Sequence, residues 1–258
     1  MRTLYERNSE VKPITLFTLL FSLLAGICAN AQTPARAKYR ICMDVAHQQK
    51  FWRDPADMAA MDVKLIERVK YMTAEFAKTA ASVNASLSYL KKEITPKDLK
   101  GCDLLFIHIP SAKYTPGEVG AISKYIAGGS SLFLVMDQNV WSTLEQTNVN
   151  DLIRTFDIQF GGESPDPLAG GHTKAGLITD KSLKISYHGA RTVTGGTPFC
   201  FNDRSDAYPF GAFMEVKNGG KIIVMGDGMV SLYMTSWEGV HDYQCQAFMQ
   251  DVFRWLLK

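Results

Sequence analysis

Four short apolar segments, separated by stretches long enough for a helix, constrain the fold of this chain more than any other feature. They cover Tyr39–Met43, Leu104–Ile109, Ser131–Met136 and Lys221–Met225. Strands buried on both faces of a parallel sheet form nearly continuous apolar runs of this kind. The spacing also suits parallel crossovers, which need a helix-length connection. We therefore predict an α/β fold with a mostly parallel sheet, and Ala85–Leu90 is one further candidate strand.

Helix patterns occupy the stretches between these strands. Apolar residues recur at spacings of three and four in the first of them, as on one face of an amphipathic helix. In the second, Thr115 and Glu118 form a capping box with Pro116 at the first helical position. The predicted helices cover Asp57–Ala80, the segment from Thr115 to Gly128, Asn148–Phe156 and Tyr243–Leu257.

Residues 157–215 depart from the strand and helix alternation. They are rich in glycine, proline and threonine with alternating apolar side chains, which favours short strands joined by turns. We interpret this stretch as a β-rich insertion in one three-layer α/β domain.

The composition excludes one class of protein. The chain has 258 residues, 46% of them hydrophobic, and 28 basic side chains balance 26 acidic ones. A protein that binds nucleic acid by neutralising many phosphates needs a larger excess of positive charge. We therefore expect no nucleic-acid partner.

The first 31 residues have the order of a secretory signal peptide. Basic residues precede the apolar run Ile14–Cys28, and Ala29-Asn30-Ala31 follows it. The run has 15 residues, and a membrane span needs about 20. A lipoprotein signal needs a small residue before the cysteine, where Ile27 stands. We expect an exported protein, periplasmic or extracellular, with 32–258 as the mature domain and no membrane span in it.

The four cysteines beyond this segment contain no C-x-x-C pair. They are Cys42, Cys102, Cys200 and Cys245. Export permits disulfides, but Cys42 lies in an apolar strand segment, where a buried free thiol is usual. The apolar setting of Cys42 favours a free thiol, and the sequence assigns no disulfide pairing.

Three of the predicted buried strands end in aspartate, at Asp44, Asp137 and Asp227. Ligands of open α/β sheets bind outside the carboxyl ends of the strands, so these carboxylates would face one crevice if their strands are neighbours. They are the candidate catalytic residues. The alternative is that each one only accepts hydrogen bonds from loop amides or caps the next helix.

The loops after these aspartates combine aromatic rings with amides and acids. A pyranose sugar offers an apolar face for stacking and hydroxyls for hydrogen bonds, so this combination is typical of sugar-binding clefts. The alternative is the rim of a protein interface. The candidate ligand-binding residues are His47, Gln48, Trp52, Gln138, Asn139, Trp141, Trp237, Glu238, His241 and Tyr243.

Short motifs around these loops resemble a known family. They are Asp44-x-x-His47-x-x-x-Phe51, Gly101-Cys-Asp103 with Pro110, Gly128-Gly129 through Asp137, and Gly219-Gly220 through Asp227. Over nearly all of 38–258 the chain resembles the class I glutamine-amidotransferase-like superfamily. The resemblance is to its non-amidotransferase branch, which includes an exported bacterial domain of unknown function, gliding-motility and intraflagellar-transport domains and a β-galactosidase trimerisation domain. It implies a flavodoxin-like sheet and a carbohydrate-binding role without proven catalysis.

The chain lacks the nucleophiles of related enzymes. Amidotransferases carry a catalytic cysteine on a tight turn after the strand equivalent to Ser131–Met136, and Asp137 stands there instead. No G-x-S-x-G motif is present either. Glutamine amidotransferase activity is therefore not expected.

Three functional hypotheses remain. The first is an exported domain that binds a carbohydrate or small polar ligand in polysaccharide handling or degradation. The second is a glycan hydrolase that uses two of the strand-end aspartates or Glu238 as acid and base. The third is a structural domain that forms homo-oligomers. No cofactor is expected, and a cation held by Asp44 and His47 would rest on a weak signature.

Overall fold

The structure is a computed structural model, and it describes residues 37–58, 62–217, 219–235 and 239–258. The predicted signal peptide, residues 1–31, lies outside the described residues. No helix of the described part is both long and apolar enough to cross a membrane.

Five parallel strands form one half of a nine-stranded sheet in the described part of the chain. Their order is β2-β1-β3-β4-β11, and neighbours pair in parallel register. They are β1 Tyr39–Asp44, β2 Ala85–Leu90, β3 Leu104–His108, β4 Ser131–Val135 and β11 Lys221–Met225. The α/β fold with its large parallel sheet is therefore confirmed.

The predicted β-rich stretch contributes six strands, and four of them extend the main sheet. In the order β10-β9-β6-β7 they continue from β11 with antiparallel pairing. The other two, β5 and β8, form a separate antiparallel ribbon. The strands are β5 Ile158–Glu163, β6 Gly171–Thr173, β7 Lys184–Ile185, β8 Arg191–Gly195, β9 Thr197–Asn202 and β10 Gly211–Glu215.

The helices begin and end where local chemistry dictates. The capping box predicted at Thr115 is present, with both Thr115 and Glu118 bonded to backbone N–H groups. The first helix starts later than Asp57, because the carboxylate of Asp62 caps it. The helix predicted at Asn148–Phe156 is present over Val149–Ile153, and left-handed Asn148 (φ 45°) separates it from a further short helix at Leu144–Thr147. The helices are α1 Val63–Ala81, α2 Pro116–Ala127, α3 Leu144–Thr147, α4 Val149–Ile153, α5 Met229–Tyr233 and α6 Cys245–Leu256, with a 3-10 turn at Pro55–Asp57.

Alternate side chains of the parallel strands enter two separate cores. In β3, Phe106 joins the core under α1 and α6, whereas Leu105 and Ile107 join the core under α2 and α4. This period of two is the geometry of an extended strand. Because each face of the sheet buries its own core under helices, the domain has the predicted three layers, helix, sheet and helix.

Cys42 and Cys102 form a disulfide, and the prediction of a free thiol at Cys42 is wrong. Their Cα atoms are 6.0 Å apart, because the parallel pairing of β1 with β3 brings the two segments together. Cys200 and Cys245 are free and buried.

Candidate functional site

The sheet order brings two of the three strand-end aspartates together. Asp137 and Asp227 follow the neighbouring strands β4 and β11, and the main-chain N–H of Gly228 donates to Asp137 Oδ2 at 2.8 Å. Asp44 follows β1, which β3 separates from β4. The three carboxylates were expected to form a single group. They form two, Asp137 with Asp227 and Asp44 apart from them.

Asp44 belongs to a buried network with His47, Tyr114 and Glu118. The imidazole lies between two carboxylates, with Nδ1 2.9 Å from Asp44 Oδ2 and Nε2 3.2 Å from Glu118 Oε1. The hydroxyl of Tyr114 donates to Asp44 Oδ2 at 2.7 Å, and its ring stacks on the imidazole with centroids 3.8 Å apart. The network ties the end of β1 to the start of α2.

The charges of this network support each other. Burial by itself lowers the pKa of His47, but the hydrogen bonds and negative charges of Asp44 and Glu118 outweigh it and raise this pKa above its ordinary value. Burial by itself raises the pKa of Glu118. The main-chain N–H groups of Ile94 and Thr115 and the charge of His47 outweigh it and lower this pKa below its ordinary value. The arrangement places the His47 ring between two carboxyl groups, which favours the protonated form of the imidazole. Among the described residues, no group of three acidic, histidine or cysteine side chains is suited to a metal ion.

Asp137 and Asp227 accept hydrogen bonds from main-chain amides. Asp137 Oδ1 accepts from Gln138 at 2.7 Å, and Asp227 accepts from His188 at 2.9 Å and from Met229 at 2.7 Å. Burial raises the pKa of Asp137 to about 7. Burial, together with the neighbouring charge of Asp137, raises the pKa of Asp227 well above its usual range. Two carboxyl groups in one buried place cannot both be ionised at low cost.

The raised pKa of Asp137 predicts a pH-dependent stability. Between pH 3.8, the ordinary pKa, and about pH 7, the Asp137 carboxyl group is protonated in the folded state and ionised in the unfolded state. The protonated carboxyl group therefore stabilises the fold at low pH, and this stabilisation is lost as pH rises through about 7. Relative to the double variant Asp137→Asn/Asp227→Asn, in which neither carboxyl group titrates, wild type should lose about 2 kcal/mol or more of unfolding free energy from about pH 4 to about pH 8. Chemical denaturation of both proteins across this range measures the difference.

Comparing the pH profiles of wild type and variant also cancels the contribution of His108, which changes stability with pH in the opposite direction. Burial lowers the pKa of His108 to about 4, so this residue destabilises the fold as pH falls below the ordinary value of 6.5. His108 is common to both proteins, and its contribution cancels in the difference. Parallel pH profiles for wild type and the double variant would contradict a raised pKa in the Asp137–Asp227 pair.

Several sequence-predicted site residues are buried, and the expectation that they face solvent is wrong for them. The exposed fractions are 0% for Asp44, 2% for Asp137, 1% for Asp227 and 6% for His47. Trp52 is 1% exposed and packs edge-on to Phe76, so it cannot stack on a ligand in this structure. The loop after β1 turns inward, and its aromatic side chain completes the core instead of lining a cleft.

The other predicted residues remain accessible at the carboxyl edge of the sheet or lie nearby. Gln48, Asn139, Trp141 and His241 are exposed, and Gln138 and Tyr243 are half-buried. The term strand-end surface is used below for exposed Gln48, Asn139, Val140 and Trp141 together with half-buried Phe51. Within it, the Phe51 and Trp141 rings meet edge-on with centroids 5.0 Å apart. Trp237 and Glu238 lie outside the described residues.

The sequence did not reveal several members of the site. Arg191 is 2% exposed, and its guanidinium donates to Asn139 Oδ1 and to the Ser142 carbonyl. Tyr114 and Glu118 complete the network of His47, but only Glu118 had a signal, its place in the capping box. His108 is fully buried, and its Nε2 lies 2.7 Å from Ser231 Oγ.

Comparison with known proteins identifies relatives of this architecture. Residues 70–165 match the family model of the IFT52 GIFT domain. The human intraflagellar transport protein 52 homolog is 24% identical over 213 residues, covering 67% of this chain and 47% of the human protein. The chain thus spans about half the length of the curated relative it matches. These matches support the predicted resemblance to intraflagellar-transport domains.

Solved structures show the same fold. The mmIFT52 N-terminal domain superposes with a TM-score of 0.60 at 19% identity, covering 84% of this chain and 96% of that domain. The β-galactosidase from Bacillus circulans sp. alkalophilus has a TM-score of 0.50 at 10% identity, covering 85% of this chain and 31% of the enzyme. Only part of that enzyme shares this fold.

Proposed function

We propose that this chain is an exported recognition domain without catalytic activity, which binds a carbohydrate or similar polar ligand at the strand-end surface. One observation carries the proposal. The acids at the ends of the strands are buried and occupied by internal hydrogen bonds, whereas an aromatic ring and amide side chains at the same edge are exposed. The aromatic and amide groups at this edge are therefore accessible, and the carboxylates of Asp44, Asp137 and Asp227 are not.

The strand-end surface has the chemistry of a sugar-binding face. Trp141 is 37% exposed, and its contact with Phe51 holds one edge of the indole. Gln48 and Asn139 supply amides, and the Arg191 guanidinium orients the Asn139 side chain. A ring for stacking beside oriented amides fits a pyranose better than an apolar ligand.

The positions of the carboxylates favour this proposal over glycan hydrolysis. A glycosidase needs two acids that reach the scissile bond across an open cleft. Both oxygens of Asp137 and of Asp227 accept hydrogen bonds from main-chain amides. Moving either side chain to a substrate would leave buried N–H groups unpaired, which is costly.

Two observations support export. The first segment has the sequence order of a signal peptide. The Cys42–Cys102 disulfide is of the kind that forms and persists in oxidising compartments. Both fit a periplasmic or extracellular protein.

Binding to a glycan array tests the proposal. Trp141→Ala should weaken binding of any recognised glycan by about tenfold or more, because one aromatic stacking contact contributes roughly 1–3 kcal/mol. Tyr71→Ala, at a similarly exposed position on α1 (39% against 37%), is the matched control and should bind as wild type does. Equal binding by wild type and Trp141→Ala would exclude the strand-end surface as the glycan site.

An assembly role is the second candidate. Val140 is 78% exposed beside Trp141, and an apolar side chain with this exposure next to an indole also suits a contact between protein chains. Light scattering after gel filtration separates the two roles. A dimer or trimer that Val140→Asp converts to a monomer would favour assembly, and a wild-type monomer would favour ligand recognition.

A further inference from the structure

A pocket lies between α4 and the β5–β8 ribbon and shares no residue with the strand-end surface. It encloses about 350 Å³, within the range of about 300–1,000 Å³ common for small-molecule sites. The side chains that matter for its chemistry are Asp151, Arg154, Phe156, Asp157, Gln159 and Thr194.

The walls of this pocket are held in place without a ligand. Asn150 of α4 bonds to both backbone groups of Phe160 in β5, at 3.0 Å each, and so joins helix to strand. On the other side, the Asp157 carbonyl accepts from the Gly196 N–H at 2.8 Å. Gly195 adopts a φ of +74°, and a Cβ there would lie 2.3 Å from the Asp157 carbonyl oxygen. A preformed pocket avoids part of the entropic cost of binding.

The lining favours a ligand rich in hydroxyl groups. The lining combines two carboxylates, an amide, a hydroxyl and a guanidinium with the half-buried ring of Phe156. An apolar ligand would have to strip water from these groups without replacing its hydrogen bonds. A sugar can donate to carboxylates, accept from the guanidinium and amide, and place its apolar face on the ring.

Two charged groups of the lining, Arg154 and Asp151, are only loosely paired. Arg154 and Asp151 are 4.0 Å apart, with side chains 76% and 45% exposed. An exposed ion pair at this distance contributes little and gives way readily to a ligand. Gln159 and Thr194 are cross-strand partners whose side chains are both exposed.

We propose that this pocket is a binding site for a mono- or disaccharide, separate from the strand-end surface. It goes beyond the function proposed above, because it is a second site with its own lining. A longer glycan could contact the protein at two places, and the two sites can be tested independently.

Amide NMR of the full chain, titrated separately with glucose, galactose, mannose, lactose and cellobiose, tests the proposal. At least one sugar should produce saturable shifts at Gln159, Thr194 and the Asn150 side chain, with a Kd of about 1 mM. Gln159→Ala should weaken binding by about tenfold, the effect of losing one well-placed polar contact. Thr194→Trp, from an exposed strand position, should abolish binding by filling the pocket.

Two control variants locate the effect. Gln246→Ala removes an equally exposed amide from α6 and should bind the sugar as wild type does. Trp141→Ala should also leave these shifts intact, so failure of the strand-end proposal and failure of this one are distinguishable. Unchanged spectra away from the pocket would show that both pocket variants are folded.

Three results would overturn the proposal. One is the absence of saturable shifts at the pocket with all five sugars. Another is equal affinity of wild type, Gln159→Ala and Thr194→Trp. The third is a pocket that responds to glycine, as a zwitterion, and to none of the sugars, since the loosely paired charges would then be the recognition elements.

Discussion

Replacing Trp52 by alanine is expected to destabilise the protein by about 3–5 kcal/mol, the usual cost of removing a fully buried large aromatic side chain. The indole is 1% exposed and packs edge-on to Phe76 and Phe106, with centroids 5.1 and 6.4 Å away. These rings belong to the core under α1 and α6. Equilibrium unfolding in urea, followed by circular dichroism, measures the change.

Two further variants show whether packing is the cause. Trp52→Phe keeps an aromatic ring and removes an indole N–H that has no hydrogen-bond partner in the described part of the chain, so it should cost less than about 1.5 kcal/mol. Trp141→Ala, at the strand-end surface, should cost about 1 kcal/mol or less. If Trp52→Ala were as stable as wild type but had lost ligand binding, Trp52 would be part of the binding site and not of the core.

Asp44→Ala is expected to destabilise the protein by about 3–5 kcal/mol, because it leaves a buried charge without its partner. The carboxylate accepts from the Tyr114 hydroxyl, from the His47 ring and from the Ala46 N–H. Without it, Glu118 is the one charged partner of the His47 imidazole that remains among the described residues. Thermal and urea unfolding measure the loss.

The pH dependence of Asp44 variants separates charge from shape. Because the pKa of His47 is raised in the folded protein, its stabilisation is fully present below the ordinary value of 6.5 and is lost as pH rises through the folded pKa. Asp44→Asn preserves the shape and removes the charge, so this pH-dependent part should shrink. Wild-type stability in Asp44→Ala, with ligand binding lost, would instead indicate that Asp44 belongs to the ligand-binding site.

Local patterns were sufficient to predict the framework of the fold. The four apolar segments became β1, β3, β4 and β11, because a strand covered on both faces leaves no position for a polar side chain except at its end. The capping box at Thr115 formed as predicted, since all its partners lie within four residues. Helix–strand alternation then left few topologies besides a parallel three-layer sheet.

The predictions that failed depended on contacts between distant segments. The Cys42–Cys102 disulfide joins residues 60 positions apart, and the sequence gives no sign of the register that brings them together. Asp44 meets Tyr114, 70 positions away, in the same manner. An aspartate at the end of a strand has the same local pattern whether it faces a ligand or a neighbouring loop.

The amino-acid sequence alone determined the strands, the helices and the edge of the sheet where polar side chains gather, because burial on two faces and helix capping are properties of short segments. Tertiary structure alone decided which of those side chains face solvent. Loops fold back or outward according to the space left by the elements beside them, so the carboxylates of Asp44, Asp137 and Asp227 and the ring of Trp52 became interior groups, while Trp141 stayed at the surface.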